Sequence, residues 1–310
     1  MNSRNAHQPC IGGAGNCCLD YLFVAPETWR GGSARISQVA VQGGGLTATA
    51  LVTCARLGAG TRFVSLLGQD DAAACIETEL DGYGVRERRI LRMPGVATPV
   101  SFIHVDADTG QRTIFHHCPD ALKDQAVEVY SFLSGCDVVL VDDVYPALGL
   151  GAARFARECG IPVIADTTPG DGNHAFLSAV DILIAPGTGA GDIPDDRKLE
   201  QLLQDYQRLG PSSVVLTLGH RGWAALGPEG MCRGSAFQVP VVDTTGAGDV
   251  FHGAFGFGWA QGWTLGQCAR FAAAAAALKC TRLGGRAGIP GFDEVNVFLN
   301  EHDERNRENE

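Results

Sequence analysis

The chain has 310 residues, 45% of them hydrophobic, enough to bury one large α/β core and to exclude disorder as its default state. A formal net charge of −11 without any dense Lys/Arg run excludes the basic footprint that nucleic acid or an anionic membrane surface requires. No stretch reaches the roughly 18 apolar residues of a membrane span and no long apolar signal core opens the chain, so a cytoplasmic location is the expectation. The eleven cysteines are scattered, with no C-x-x-C pair, and read as buried reduced thiols and not as zinc ligands.

In chain order, CIGGAG at 10–15 predicts a first strand, followed by Asp20 in NCCLDYLFV. A carboxylate at a strand end can accept two sugar hydroxyls; a solvated loop aspartate is the alternative. GGGLTATALVTCARLGA at 43–59 predicts a helix behind a glycine cluster, where a neutral polyol can lie against the main chain beside Thr47 or Thr49. A tight turn before a core helix explains the same glycines. SARISQVAVQ at 33–42 and TPVSFIHVDADTGQRTIFHH at 98–117 alternate apolar and polar residues around a DADTG turn. They read as a small antiparallel sheet, a lid over a cleft and a surface for pairing with a second copy. RERRILR at 86–92 reads as a solvated face before that lid.

The runs RFVSLLG (62–68), DVVLVDD (137–143), IPVIAD (161–166), DILIAP (181–186) and SVVLTLG (213–219) are apolar on both faces, as parallel strands covered by helices must be. LGLGAARFAREC and DRKLEQLLQDYQRLG between them carry helical spacing. The prediction is a doubly wound α/β/α sandwich, in which the strand-end residues Asp142, Asp143, Asp166, Thr217 and Gly219 converge on one cleft. The final residues, EHDERNRENE, lack apolar anchors and read as a frayed tail.

VVDTTGAGDVFHGAFGFG at 241–258 predicts a strand that stops at a glycine-rich helix start. Such a start offers orphan backbone N–H groups and a positive dipole end to a phosphate. Asp249 in that first turn either accepts a proton from an attacking hydroxyl or merely caps the helix. His252, three residues on, reads as a core histidine. Neither G-x-G-x-x-G nor a G-x-x-x-x-G-K-[ST] loop is present, so neither a dinucleotide fold nor a P-loop is expected.

Taken together, these residues resemble the ribokinase (PfkB-type) family of carbohydrate kinases from about Cys10 to Phe292, most specifically through DTTGAGDVFHGAF. The resemblance implies a three-layer α/β/α fold with a β-sheet lid, one kinase domain over 10–295 and a charged tail over 296–310. It implies ATP-dependent phosphorylation of a sugar hydroxyl with Asp249 as base and Gly246, Ala247 and Gly248 as anion hole. Asp20, Gly44 and Gly45 are implied to contact the sugar, Thr217, Gly219, Gly222 and Thr244 the nucleotide. Mg²⁺ accompanies ATP, and a K⁺ site falls on Asp243, Thr245, Gly285 and Gly288. A homodimer through the lid is the expected assembly.

The signature, with ALKCTRLGGRAGIP after it, looks most like the sulfofructose kinase branch, but Ser33, Val144 and His116 stand where that branch places Lys, Arg and Asn around the sulfonate. His116, with His117 and Arg112, can still supply charge from the lid. Pro186 and Gly189 replace the family's N-x-x-E, leaving Asp166, Asp142 or Asp143 to help hold Mg²⁺; Thr49 and Ala273 replace two asparagines. Phosphorylation of a nucleoside or vitamin precursor, with Phe102 or Phe115 as a nucleobase shelf, and a non-catalytic sensor are the rival readings.

Overall fold

The structure, a computed structural model, describes residues 8–25, 35–125, 127–170, 172–187 and 196–308. Its main sheet has nine strands, β1 (Cys10–Ala14), β4 (Gly60–Gly68), β5 (Glu87–Met93), β8 (Val138–Asp142), β9 (Val163–Asp166), β10 (Ile182–Pro186), β11 (Ser213–Thr217), β12 (Trp223–Gly227) and β13 (Gly230–Gly234). They lie in the order β13-β12-β11-β10-β9-β8-β1-β4-β5. The strands from β11 to β5 pair in parallel, and β12 and β13 add an antiparallel hairpin at one edge.

The described α-helices are α1 (Leu46–Arg56), α2 (Asp71–Gly82), α3 (Asp120–Lys123), α4 (Pro146–Glu158), α5 (His174–Leu177), α6 (Asp196–Gln207), α7 (Ala247–Ala260), α8 (Leu265–Lys279) and α9 (Phe292–Glu308). Strand alternation explains the layers: Val138 and Leu140 of β8 enter the core shared with α1, α7 and α8, whereas Val139 and Val141 face α4. All five residues of β8 are buried, which is why its sequence shows no polar face. The three-layer α/β/α sandwich expected from the sequence is therefore present.

A second sheet, in the order β3-β2-β6-β7, comprises β2 (Cys18–Ala25), β3 (Gln38–Gly44), β6 (Val100–Asp106) and β7 (Arg112–His117). Residues 33 and 34 of the expected lid segment lie outside the described residues, as do Gly189 and Ser33. The sequence reading omitted the central strand β2, so Asp20 sits within a strand of this sheet and not at the end of a core strand. Thr98 ties the sheet to the body, its N–H and hydroxyl donating to Asp70, the residue that caps α2, at 2.8 and 2.6 Å.

Two further expectations change. RERRILR is an edge strand, β5, whose Arg88 and Arg92 pair with Asp81 and Glu77 of α2. EHDERNRENE at 301–310, within the charged tail over 296–310, is not frayed through its described length, because α9 runs to Glu308 with Val295 and Leu299 packed in the core and Arg270 paired with Asp303. Its anchors precede the charged stretch, so the last ten residues in isolation gave no sign of them.

Candidate active site

The carboxyl ends of the parallel strands meet the second sheet where the strand order reverses about β1, the position where open α/β sheets take their ligands. Asp249 stands there in the first turn of α7. The chain enters the helix through Gly246, whose φ of +74° and a Cβ position 2.8 Å from the Gly285 carbonyl oxygen both demand glycine. Gly248 is exposed, and its N–H donates to no backbone carbonyl among the described residues. The Ala247 N–H instead donates to the Thr244 carbonyl at 3.2 Å and closes the turn.

The half-buried Asp249 carboxylate receives no hydrogen bond from the described residues. Burial raises its pKa to about 7 against the pull of Arg112 and Arg286, while Asp20 and Asp142 push it the same way as burial. His252 on the same helix is fully buried, its Nε2 3.2 Å from the Ile164 carbonyl, and burial lowers its pKa to about 4. It is the core histidine that the sequence suggests.

One row of the second sheet lines up Gln42, Asp20, Ser101 and His116 in register across its four strands. Side chains in one row share a face, and contacts link three of them: Cys18 Sγ donates to Asp20 Oδ1 at 3.2 Å and lies 3.7 Å from Ser101 Oγ, which lies 3.2 Å from His116 Nδ1. Gly44 lies directly against this row, since a Cβ there would stand 2.1 Å from Asp20 Oδ2. Burial raises the pKa of Asp20, with Cys18, Arg286 and Ser101 opposing. Gly45, at φ +95°, caps α1 beside the Asn16 carbonyl.

The next row over holds Val41, Tyr21, Phe102 and Phe115, on the opposite face. Phe102 and Phe115 are 50% and 63% exposed there, so neither forms a nucleobase shelf beside Asp20. This overturns the role suggested for them by the sequence.

Thr49 joins the site only indirectly. It is buried, and its hydroxyl accepts from Arg286 Nε at 3.2 Å. Arg286, which the sequence reading passed over except as part of a glycine loop, is buried too and donates through Nη2 to the Gly44 carbonyl at 2.9 Å. Its Nη1 stands 3.8 Å from Glu79 Oε2, and Glu79 also accepts from the Gly43 N–H. A residue 237 positions from Thr49 thus fixes the glycine turn. Asn16 was likewise missed; it is buried, with Oδ1 unpartnered.

Three strand-end carboxylates divide their tasks. Asp142 is fully buried and accepts from the N–H groups of Asn16, Thr47 and Val144 and from the Thr47 hydroxyl, at 2.6 to 3.2 Å. Burial still raises its pKa to about 6. Asp143 accepts from Thr167 Oγ1 and Asn173 Nδ2. Asp166 receives no hydrogen bond from the described residues, and its pKa is pushed well up by burial and by Asp249, Asp142 and Asp143. Asp143 and Asp166 line a cavity of about 350 Å³ with Leu46, Thr167, Thr168 and Pro186.

On the far side, Thr217 ends β11, and Gly219 and Gly222, at φ +59° and +93°, turn the chain into β12. Thr244 accepts from Arg112 Nη1 at 3.0 Å, joining β7 to the segment that enters α7. In that segment Asp243 accepts from the Thr245 N–H at 2.8 Å and the Gly284 N–H at 2.7 Å. The Asp243 carbonyl accepts from Lys279 Nζ at 2.9 Å, a buried cation that no local sequence pattern places here.

The arrangement brings together a row of polar side chains, a carboxylate of raised pKa and a glycine-rich helix start, in a chain similar along its length to known kinases. The chain is 25% identical over 297 residues to a ribokinase of Haemophilus influenzae, covering 92% of this chain and 96% of that protein. It is 25% identical over 294 residues to a nucleoside kinase of Methanothermobacter thermautotrophicus, covering 91% and 92%. The crystal structure of ribokinase from Thermotoga maritima superposes with a TM-score of 0.77 at 27% identity, covering 94% and 99%. The sequence model of the pfkB family carbohydrate kinases matches residues 14–291, which include β2 with Asp20, the glycine turn and Asp249. With that match across nine-tenths of its length, the chain belongs to the pfkB family of carbohydrate kinases.

Proposed function

We propose that the protein transfers the γ-phosphoryl group of ATP to a hydroxyl of a sugar or sugar-like substrate, with Asp249 as general base. The observation that carries this reading is the Asp249 carboxylate, raised to about 7 and without a hydrogen-bonding partner among the described residues, beside the open Gly248 N–H. As the substrate oxygen bonds to phosphorus and the bond to ADP breaks, the hydroxyl proton passes to Asp249. Charge on the transferring oxygens falls against the N–H groups of Gly246, Ala247 and Gly248; one such donor contributes about 3 kcal/mol in comparable oxyanion sites. Ala247 shares its donor with Thr244, so Gly248 carries most of this contact.

Asp20 accepts sugar hydroxyls, Gly44 and Gly45 let the sugar approach the main chain, and His116 closes the far edge of the row. Thr49 supports the turn through Arg286. Thr217, Gly219, Gly222 and Thr244 flank the nucleotide. With the N-x-x-E segment replaced, Asp166 is the carboxylate left free to hold Mg²⁺, which neutralises phosphate charge when bound. Asp142 is taken up by internal donors, and Asp143 accepts from two of them on its Oδ2.

The residues around Asp243, Thr245, Gly285 and Gly288 do not fit a K⁺ ion, because the Lys279 ammonium already sits on the Asp243 carbonyl. A second unit charge about 4 Å away would be repelled by roughly 4 kcal/mol at an effective dielectric of about 20. A cytoplasmic location belongs to the proposal; every described cysteine is free, as suits a reducing compartment, and no described helix is long and apolar enough to cross a membrane.

The test is a phosphotransfer screen with ATP and Mg²⁺ across aldoses, ketoses, polyols, sulfofructose and nucleosides, read by mass spectrometry of the product. A phosphorylated sugar is expected. Nucleoside phosphorylation alone would reassign the substrate class, and ATP and sugar binding without product would leave a sensor.

A further inference from the structure

We infer that the ammonium of Lys279 takes the place of a monovalent cation behind the start of α7, so that phosphoryl transfer by this protein is independent of potassium. The inference rests on the kinase reading for its activity arm and on geometry for its placement. Lys279 is the last residue of α8, where the negative end of the helix dipole favours a cation. Its side chain is fully buried and turned inward, with Nζ 2.9 Å from the Asp243 carbonyl oxygen. Asp243 is itself buried and gathers the segment around it, its carboxylate accepting from Thr245 and from Gly284 across the loop. The main chain of Cys280 accepts from the N–H groups of Val242 and Asp243, so α8 and the segment move as one piece.

Three residues after Asp243 the chain reaches Gly246, seated against Gly285, and then the open N–H of Gly248 and the Asp249 carboxylate. The Gly284–Gly288 loop is equally tied to the lysine, since a Cβ at Gly288 would stand 2.4 Å from the Lys279 carbonyl oxygen. A cation in this position binds carbonyl oxygens, braces the segment entering α7 and adds positive potential behind the anion site. An ammonium does all three with one unit charge and three donors, and it cannot dissociate. The groups facing it are Asp243, Asp249, the Cys280 thiol and, repulsively, Arg112. Burial lowers the Lys279 pKa, and Asp243 opposes that most strongly.

The experiment compares turnover in choline chloride and potassium chloride at equal ionic strength. Wild type is expected to change by less than about twofold, whereas Lys279→Ala loses roughly tenfold or more in choline and regains it in potassium or rubidium, but not lithium. Lys279→Met, which fills the space without charge, is expected to lose activity that no salt restores. As a readout independent of turnover, the melting temperature of Lys279→Ala should rise in potassium over choline while that of wild type does not. Stimulation of wild type several-fold by potassium would overturn the inference, as would a Lys279→Ala loss that potassium leaves unchanged. If Lys279→Ala fails to fold, the wild-type comparison still decides. If wild type turns over no acceptor in either salt, the kinase reading fails and the melting temperatures alone judge Lys279.

Discussion

Asp249 and Asp142 are both withdrawn carboxylates in one cleft, and their hydrogen bonds separate their roles. Asp142 is saturated by four donors and holds β8, the Asn16 turn and α1 together. Asp249 has none among the described residues, so its proton affinity is available for chemistry. Because its folded pKa is raised from 3.8 to about 7, the native state binds an extra proton between those values. Stability from this group is therefore full below about pH 4 and is lost as pH rises through 7. Asp249→Asn removes that cost: at pH 8 the variant should melt above wild type, by on the order of 1 kcal/mol once partial exposure is discounted, and the gap should close toward pH 5. Catalysis has the opposite dependence. A base must be ionised, so wild-type kcat/KM should climb through about pH 7 and then level off. Arg286 and Lys279 show what a sequence hides at this scale: each acts on a residue far along the chain, Thr49 and Asp243, and no local pattern announces either contact.

At the scale of elements, alternation and glycine placement were legible where one segment contained the whole signal. The five runs apolar on both faces are parallel strands within a residue or two, and the glycine-rich start of α7 is where GAGD located it. The second sheet was only half legible, because its inner strand CLDYLFVA reads as apolar core throughout, although Tyr21 and Phe23 on its outer face are only half-buried. The C-terminal helix was missed because its charged end follows anchors that lie earlier, at Val295 and Leu299. Leu299→Ala should accordingly cost about 2–4 kcal/mol in urea unfolding, the range for a buried leucine, whereas a frayed tail would tolerate it without change.

Across the whole molecule, the second sheet presents two unlike faces. One carries Asp20, Ser101 and His116; the other exposes Val39, Val41, Phe102 and Phe115, a contiguous apolar surface beside the stacked rings of Tyr21 and Phe102. Such a patch marks an interaction surface, and we propose that it pairs with its equivalent in a second copy, placing a dimer axis at the lid. Phe115→Glu should convert a dimer to a monomer by light scattering while leaving the melting transition of the core intact; a wild-type monomer at micromolar concentration contradicts the assignment. In the proposed reaction the main sheet positions phosphate chemistry and the second sheet the acceptor, with Asp249 where the two meet. The most direct measurement of that arrangement is phosphotransfer by Asp249→Asn to the acceptor on which wild type is most active. The account predicts a fall in kcat of about a thousandfold or more with ATP affinity preserved; turnover within tenfold of wild type would contradict Asp249 as the base.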